Sequence, residues 1–255
     1  MNRKEYNYGM IKGLILAGGR GTRLLPITRV LNKHMVPILS TPMIMYPLET
    51  LKSFGIKDIM IVSGGEHLGT IINFLKDGSE FGVNLTYRVQ KEAGGIAEAL
   101  GLAKDFVGES QVMVILGDNV FDDISRSFFM WGEMLKNHAC ILVKKMAGAS
   151  RFGVLMGSGW GKEDHYSIIE KPKDIDIGDV VTGLYVYPPS VFDIIKTLKP
   201  SNRGELEITS VNNYYLENNL CDIYHIDTKF WSDAGTPESL KEVIDWAYKK
   251  LALDK

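Results

Sequence analysis

The sequence predicts a three-layer α/β fold, in which helices cover both faces of a mostly parallel central sheet. Short apolar runs at Ile11–Leu16, Ile59–Val62 and Val112–Leu116, of which the last two are uniformly apolar, are typical of strands that are buried on both faces. Apolar residues at helical spacing follow the first two runs, over 44–51 and 68–75. Because strands and helices alternate along the chain, parallel pairing of the strands is expected.

A third helical stripe precedes the run at Val112–Leu116 and consists of Ile96, Ala99, Leu100 and Ala103. The second half of the chain changes to short strand-like segments that are separated by Gly-, Asp- and Pro-rich breaks. These segments are Ala139–Lys144, Phe152–Met156, Tyr166–Glu170 and Thr182–Tyr187. We expect them to insert antiparallel strands that widen the site.

Two helices are predicted near the end of the chain. Two prolines precede the first, over Val191–Leu198, since proline is tolerated before and at a first turn. The last helix begins with Thr236 as N-cap and Pro237 in the first position. Its predicted apolar stripe comprises Leu240, Val243, Ile244, Ala247 and Leu251.

The composition excludes several functional classes. The 255 residues are 45% hydrophobic and 24% charged, which is the balance of an ordinary globular protein. A net charge of −2 does not suggest a nucleic-acid partner, and no basic amphipathic stretch indicates a membrane partner. Cys140 and Cys221 have no CxxC partner, so we expect a cytoplasmic protein without a disulfide scaffold or zinc site. Without a linker, a single domain over 10–252 is predicted, after a polar extension at 1–9.

A glycine-rich turn, LAGGRGTRLLP, spans Leu16–Pro26. Glycines at a strand end let backbone N–H groups approach phosphate oxygens, and Arg23 adds a forked donor for phosphate. The turn lacks the Gly-Lys pair of a P-loop, and Leu24 stands where a dinucleotide fingerprint needs glycine. From these residues alone, a tight turn with a surface arginine remains an alternative.

Two further blocks follow the turn: NKHMVP, which contains Lys33, and TPMIMYPL at 41–48. Together the three blocks resemble the signature of the sugar-1-phosphate nucleotidyltransferases, which is LAGGxGTRLxPxT, a lysine before a hydrophobic-Pro step, and PMIxYPL. Within that family the chain is most similar to the glucose-1-phosphate thymidylyltransferases, over about Met10 to Trp246. The resemblance implies a Rossmann-like nucleotidyltransferase fold.

The resemblance also implies the catalytic residues and a Mg²⁺ cofactor. Arg23 and Lys33 would neutralise a triphosphate, and Lys171 in Glu-Lys-Pro would bridge the donor and acceptor phosphates. Asp118, in LGDN after an apolar strand, and Asp233, in WSDAGT, would hold the metal. From the residues alone, Asp118 could equally be a turn residue, and Asp233 could bond the start of the last helix.

Further site residues are implied in the same way. The implied nucleotide-binding residues are Leu16, Gly18, Gly19, Gly21, Thr22, Gln90, Gly95 and Asp118. The implied sugar-phosphate-binding residues are Gly153, Glu170, Lys171, Val181 and Trp231. Gln90 and the Gly95 backbone would hydrogen-bond the base. Two positions depart from the family pattern, since Gly94 replaces a common Asp and Glu98 replaces a common Gln, and these departures bear on ribose contacts and base choice.

The RGELEIT segment at 203–209 is expected to begin a structural helix, with Glu205 facing the sugar as the alternative. The activity implied by the resemblance joins dTTP to α-D-glucose 1-phosphate and releases pyrophosphate, as the first step towards dTDP-deoxysugars such as rhamnose. UTP or another sugar 1-phosphate is one alternative, and a non-catalytic nucleotide-sugar sensor is another. Family members are expected to be homo-oligomers.

Overall fold

The computed structural model describes residues 11–19, 21–122, 124, 137–157, 165–227 and 229–253. The predicted polar extension at 1–9 lies outside this range. The described strands are β1 Ile11–Ala17, β2 Pro37–Ile38, β3 Thr41–Pro42, β4 Asp58–Gly64, β5 Asn84–Gln90, β6 Gln111–Leu116, β7 Asn119–Phe121, β8 Ala139–Ala147, β9 Gly153–Met156, β10 Ser167–Glu170, β11 Ile177–Tyr187, β12 Cys221–His225 and β13 Trp231–Asp233.

The described α-helices cover the sheet on both faces. They are α1 Met45–Ser53, α2 Gly65–Leu75, α3 Ile96–Gly101, α4 Lys104–Val107, α5 Val191–Thr197, α6 Ile208–Glu217 and α7 Pro237–Leu253. Thr236 caps α7 as predicted, because its Oγ1 accepts a hydrogen bond from the Ser239 N–H at 3.2 Å. None of the helices in these described ranges is long and apolar enough to cross a bilayer.

Nine of the described strands form one sheet, in the order β10-β9-β11-β6-β1-β4-β5, with β8 paired to β11 and β12 paired to β8. Strands β6, β1, β4 and β5 run parallel, so their carboxyl ends meet at one edge of the sheet. Strand β11 runs antiparallel to β6, β8 and β9. The predicted fold class, a mainly parallel three-layer sheet with inserted antiparallel strands, is confirmed.

Two buried clusters account for the three layers. One cluster joins the sheet to α1 and α2 through Leu48, Leu51, Ile71 and Leu75. The other joins the opposite face to α3, α5 and α6 through residues that include Leu100, Ile194 and Val211. Burial of these apolar faces is the main stabilising contribution to a fold of this type.

Several elements differ from the sequence prediction. The edge strand β5, the half-buried β12 and the short pair β7 and β13 are not predicted by the sequence pattern. Helix α6, in contrast, begins within the segment 203–209 that is expected to begin a helix. Leu251 was placed in the buried stripe of α7, yet its side chain is 53% exposed. This residue lines the open groove between α1 and α7 instead of facing the sheet, so the burial prediction is wrong for the last turn.

Candidate active site

A cleft of about 600 Å³ crosses the carboxyl ends of β1, β5 and β6 and continues between β9, β10 and α6. The structure brings most of the residues that the sequence singled out to this one cleft. The predicted site residues that line it are Leu16, Gly18, Gly19, Arg23, Gln90, Gly95, Asp118, Gly153, Glu170, Lys171, Val181, Trp231 and Asp233. The parallel strands therefore supply one end of the cleft and the inserted antiparallel strands the other.

Three predicted residues do not line the cleft directly. Gly21 has φ +61°, and a Cβ there would lie 2.9 Å from Thr28 Cγ2 and 3.1 Å from Lys33 Cβ. Its carbonyl accepts a hydrogen bond from Thr28, so Gly21 shapes the turn. Thr22 is exposed at the start of a short 3-10 helix. Lys33 reaches the cleft through its ammonium group, which is hydrogen-bonded to Asp118.

Two carboxylates from distant parts of the chain converge at the parallel end. The Oδ2 atoms of Asp118 and Asp233 both lie 3.3 Å from the point that a Cβ of Gly235 would occupy, and Arg23 Nη2 lies 3.0 Å from it. Strand β13 pairs with β7, with Asp233 opposite Asn119. The Ala234 N–H donates to the Asp118 carbonyl at 2.8 Å, which fixes the two carboxylates side by side.

The pKa values of the two carboxylates are shifted in opposite directions. Burial alone would raise the pKa of Asp118, but the charges of Lys33 and His34 outweigh it and hold this pKa well below its usual range. Burial raises the pKa of Asp233 to about 6, and the neighbouring charge of Asp118 adds to the rise. Arg151 opposes the rise, since its Nη2 lies 3.2 Å from Asp233 Oδ1.

Asn119 connects the carboxylates to the sheet. Its side chain is 1% exposed, and its Oδ1 accepts from Trp231 Nε1 at 2.7 Å and from the Gly183 N–H at 3.0 Å. Its Nδ2 donates to Asp118 Oδ1 at 3.0 Å. The indole N–H of Trp231 is thus satisfied within the protein, and the ring face is what this residue can offer to a ligand.

A turn at the end of β5 forms the side wall of the parallel end. Gln90 is buried, and its Nε2 donates to a Glu98 carboxylate oxygen and to the Gly95 carbonyl. Gly95 has φ +102°, and a Cβ there would meet the Leu206 carbonyl oxygen at 2.4 Å. The Ala97 N–H also donates to the Leu206 carbonyl, so this turn requires glycine and holds the two cleft walls together.

The antiparallel end of the cleft carries hydroxyl and carboxylate groups. Glu170 ends β10, and its Oε2 accepts from Thr209 Oγ1 at 2.5 Å. The Lys171 Nζ lies 3.3 Å from Glu170 Oε1. Gly153 lies opposite Glu170 in the strand pairing. Its lack of a side chain leaves space at this position, since a Cβ there would come within 3.0 Å of Ile168 Cγ2. Such a wall can bind sugar hydroxyls, with a cation beside them for a phosphate.

A guanidinium links three acidic side chains at this end. Arg203 lies 3.0 Å from Glu205, 3.4 Å from Glu207 and 3.6 Å from Glu170. All four residues line the cleft, so Glu205 does reach it as the alternative expectation stated. Arg203 completes a set of cations suited to a polyphosphate and a sugar phosphate. The other members of the set are Arg23, Lys33, Arg151 and Lys171.

Comparison with known proteins identifies the class of this site. The family model described as nucleotidyl transferase matches residues 12–249. The chain belongs to the nucleotidyl transferase family. It is 39% identical to glucose-1-phosphate thymidylyltransferase from Neisseria meningitidis, over 92% of this chain and 82% of that protein. This nucleotidyltransferase therefore has sugar-1-phosphate nucleotidyltransferases among its relatives.

Solved structures agree with this assignment. A Bacillus anthracis protein, described as a candidate glucose-1-phosphate thymidylyltransferase and solved with sucrose, superposes with TM-score 0.86 at 46% identity. That match covers 93% of this nucleotidyltransferase and 95% of the other chain. A UDP-glucose pyrophosphorylase in complex with UDP-glucose has TM-score 0.82 at 25% identity, over 94% of this chain and all of that one.

Three residues of this nucleotidyltransferase were not selected as site residues from the sequence. Arg151 and Arg203 precede the Phe-Gly and Gly-Glu-Leu-Glu segments that were noted, and Asn119 directly follows Asp118. Arg151 directly precedes a predicted strand and lies two residues before Gly153, and Arg203 directly precedes Gly204, so an arginine close to a glycine is the signal that would have found both. No local signal marks Asn119, because its partners Gly183 and Trp231 are distant in sequence.

Proposed function

We propose that the protein transfers the thymidylyl group of dTTP to α-D-glucose 1-phosphate, giving dTDP-glucose and pyrophosphate. This reaction would be the first step towards dTDP-deoxysugars such as rhamnose. The single observation that carries the proposal is the convergence of Asp118 and Asp233 on one point beside Arg23. Similarity to the Neisseria meningitidis thymidylyltransferase supports the choice of nucleotide and sugar.

The chemistry requires an in-line displacement at the α-phosphorus. An oxygen of the sugar phosphate forms a bond to this phosphorus while the bond to pyrophosphate breaks, so charge accumulates on the equatorial and leaving oxygens. Arg23 and Lys33 neutralise the triphosphate, and Lys171 contacts the sugar phosphate and the α-phosphate. Positioning and charge stabilisation of this kind account for catalysis when the protein forms no covalent bond.

The donor set fits Mg²⁺. Two carboxylate oxygens lie near each other, since both are 3.3 Å from the Cβ position of Gly235. An octahedral ion typically combines one or two carboxylates with phosphate oxygens and waters. Asp118 and Asp233 would hold the ion, and its charge would stabilise the phosphate oxygens in the transition state.

The remaining predicted residues take the base and the sugar. Leu16, Gly18 and Gly19 line the parallel end, where Gln90 and the Gly95 backbone contact the base. Gly153, Glu170, Val181 and the ring of Trp231 surround the sugar at the antiparallel end. The cleft of about 600 Å³ has room for a nucleotide and a hexose together. A cytoplasmic location and a homo-oligomeric state stay predictions.

UTP is the second candidate nucleotide, because the UDP-glucose pyrophosphorylase structure superposes closely on this chain. Uracil and thymine differ by one methyl group, for which an apolar pocket discriminates by about 1–3 kcal/mol at most. A panel of dTTP, UTP and dCTP against glucose 1-phosphate and other sugar phosphates, with pyrophosphate release as the readout, separates these candidates.

The decisive experiment measures Mg²⁺-dependent pyrophosphate release in wild-type protein and in Arg23→Ala. Loss of one charge-stabilising donor is expected to lower kcat by a factor on the order of 10²–10³. Arg29→Ala is the matched control, because Arg29 is an exposed arginine of the same loop outside the cleft. Turnover in Arg23→Ala that equals the wild type contradicts the assigned role. Nucleotide binding without any pyrophosphate release favours the non-catalytic sensor.

A further inference from the structure

The carboxamide of Gln90 is held by two groups that can only accept hydrogen bonds. Its Nε2 contacts a carboxylate oxygen of Glu98 and lies 3.3 Å from the Gly95 carbonyl oxygen. An ionised carboxylate and a backbone carbonyl have no proton to donate, so the NH₂ group of the amide must face both. The orientation of this side chain is therefore dictated by chemistry, since the reversed amide would place oxygen against two oxygens.

The carbonyl oxygen of Gln90 consequently faces the other way. Its Oε1 lies 2.9 Å from the point that a Cβ at Gly18 would occupy, at the cleft wall that both residues share. None of the hydrogen bonds recorded between described residues is donated to this oxygen. Leu16, Ile96 and Ala99 line the same cleft and give it apolar surface that suits the face of a base. A ligand lying there must present a hydrogen-bond donor to Gln90.

The position of Glu98 depends in turn on the absence of a side chain at Gly94. A Cβ at residue 94 would lie 2.8 Å from Glu98 Oε2 and 3.0 Å from Glu98 Cδ. The backbone of Gly94 cannot move aside easily, because its carbonyl accepts from the Leu206 N–H at 2.7 Å. Gly94 and Glu98, the two departures from the family pattern, thus form one spatial unit in which the carboxylate fills the space beside the glycine.

We propose that Glu98 is the specificity-determining positioning residue of the nucleotide pocket, which it sets to accept pyrimidines that carry an imino N–H and to reject cytosine. Thymine and uracil donate from N3, whereas cytosine has an acceptor at this position and would face the Gln90 oxygen with a lone pair. The inference rests on the proposed nucleotidyl transfer. It assigns the base discrimination to a carboxylate that touches no substrate and acts only through Gln90.

The test compares kcat/KM for dTTP and for dCTP in wild-type protein and in Glu98→Gln, with pyrophosphate release as the readout. In the wild type, bound dCTP would place the cytosine acceptor against the Gln90 oxygen, so we expect a preference for dTTP over dCTP on the order of 10²-fold. In Glu98→Gln the neighbouring group can donate or accept, so Gln90 can reverse. The preference is then expected to fall by a factor on the order of ten. The change should appear in KM, because base contacts are the same in the ground and transition states.

Two further variants separate positioning from general damage. Gly94→Ala displaces the Glu98 carboxylate and is expected to lower the preference in the same direction. In a Glu98→Ala background, Gly94→Ala is expected to have no additional effect, since the group that it displaces is gone. Glu92→Gln, an exposed acidic residue of the same turn, controls for the loss of a negative charge near the triphosphate. Its dTTP-to-dCTP ratio should equal that of the wild type.

The possible results are distinct. A dTTP-to-dCTP ratio that stays unchanged in both Glu98→Gln and Gly94→Ala, with active protein, overturns the role of Glu98. An equal loss of activity with both nucleotides shows that Glu98 only supports the turn, and it also overturns the proposal. Wild-type protein that turns over no nucleoside triphosphate contradicts the proposed function itself.

Discussion

Replacement of Asn119 by alanine tests how the carboxylate pair is held in place. Asn119 is buried and makes three hydrogen bonds, of which two satisfy the indole N–H of Trp231 and the backbone N–H of Gly183. In Asn119→Ala both buried donors lose their hydrogen-bond partner, at a cost of about 1–3 kcal/mol each. A small cavity adds to this loss, so we expect the free energy of unfolding to fall by about 3–5 kcal/mol.

The measurement is urea unfolding followed by far-UV circular dichroism at neutral pH. Asn84→Ala is the matched control, because it removes an exposed asparagine that makes a single hydrogen bond to Asp58. Surface changes of this kind usually alter stability by no more than about 0.5 kcal/mol. A loss in Asn119→Ala that is as small as the loss in the control would refute the assignment of Asn119 as a buried connection. An altered m value in the variant would instead indicate a change in compactness of the native or the unfolded state.

Three other substitutions probe the turn, the metal site and the sugar end. Gly95→Ala places a side chain at a φ of +102°, with its Cβ 2.4 Å from the Leu206 carbonyl oxygen. We therefore expect the free energy of unfolding, measured by thermal unfolding, to fall by more than about 2 kcal/mol. In metal-free protein, the unfolded chain loses the Asp233 proton near pH 3.8 and the folded chain near pH 6, so stability attributable to this residue falls as pH rises between these values. Asp233→Asn should remove this fall in stability, measured as the urea midpoint at a series of pH values. A pH dependence of the midpoint equal to that of the wild type would contradict the raised pKa of Asp233. Thr209→Ala deletes the hydroxyl that donates to Glu170, and we expect a raised KM for the sugar phosphate, measured by steady-state kinetics, with little change for the nucleotide.

Much of the parallel half of the fold could be predicted from the sequence, because its signals are local. Strand β6 contains the continuous apolar run Val112–Leu116, and its burial on both faces follows from that pattern. Glycine or aspartate directly after a buried strand places Gly18 and Asp118 at the same sheet edge. Strand ends predict the positions of Gly18 and Asp118, whereas Lys33, Gln90 and Asp233 are predicted as site residues through the family resemblance.

The elements that were missed carry weaker or distributed signals. Strand β5 lies at the edge of the sheet, and its alternation at Leu85, Tyr87 and Val89 was available in the sequence. Strand β12 is half-buried and mixes cysteine, acid and aromatic residues, so no period stands out. The Arg203 cluster joins residues from two segments, and only tertiary structure brings Glu170 within reach.

The pairing of β13 with β7 has a consequence for the folding of the protein during its synthesis. Trp231 and Asn119 are separated by 112 positions, and Asp233 joins Asp118 through the same pair of short strands. A nascent chain that has emerged only as far as β11 already holds Arg23, Lys33 and Asp118 but only half of the carboxylate pair. Contacts between distant segments form late, because the intervening loop must be closed first. A nascent chain therefore cannot assemble the full charge arrangement until β13 has emerged and paired with β7.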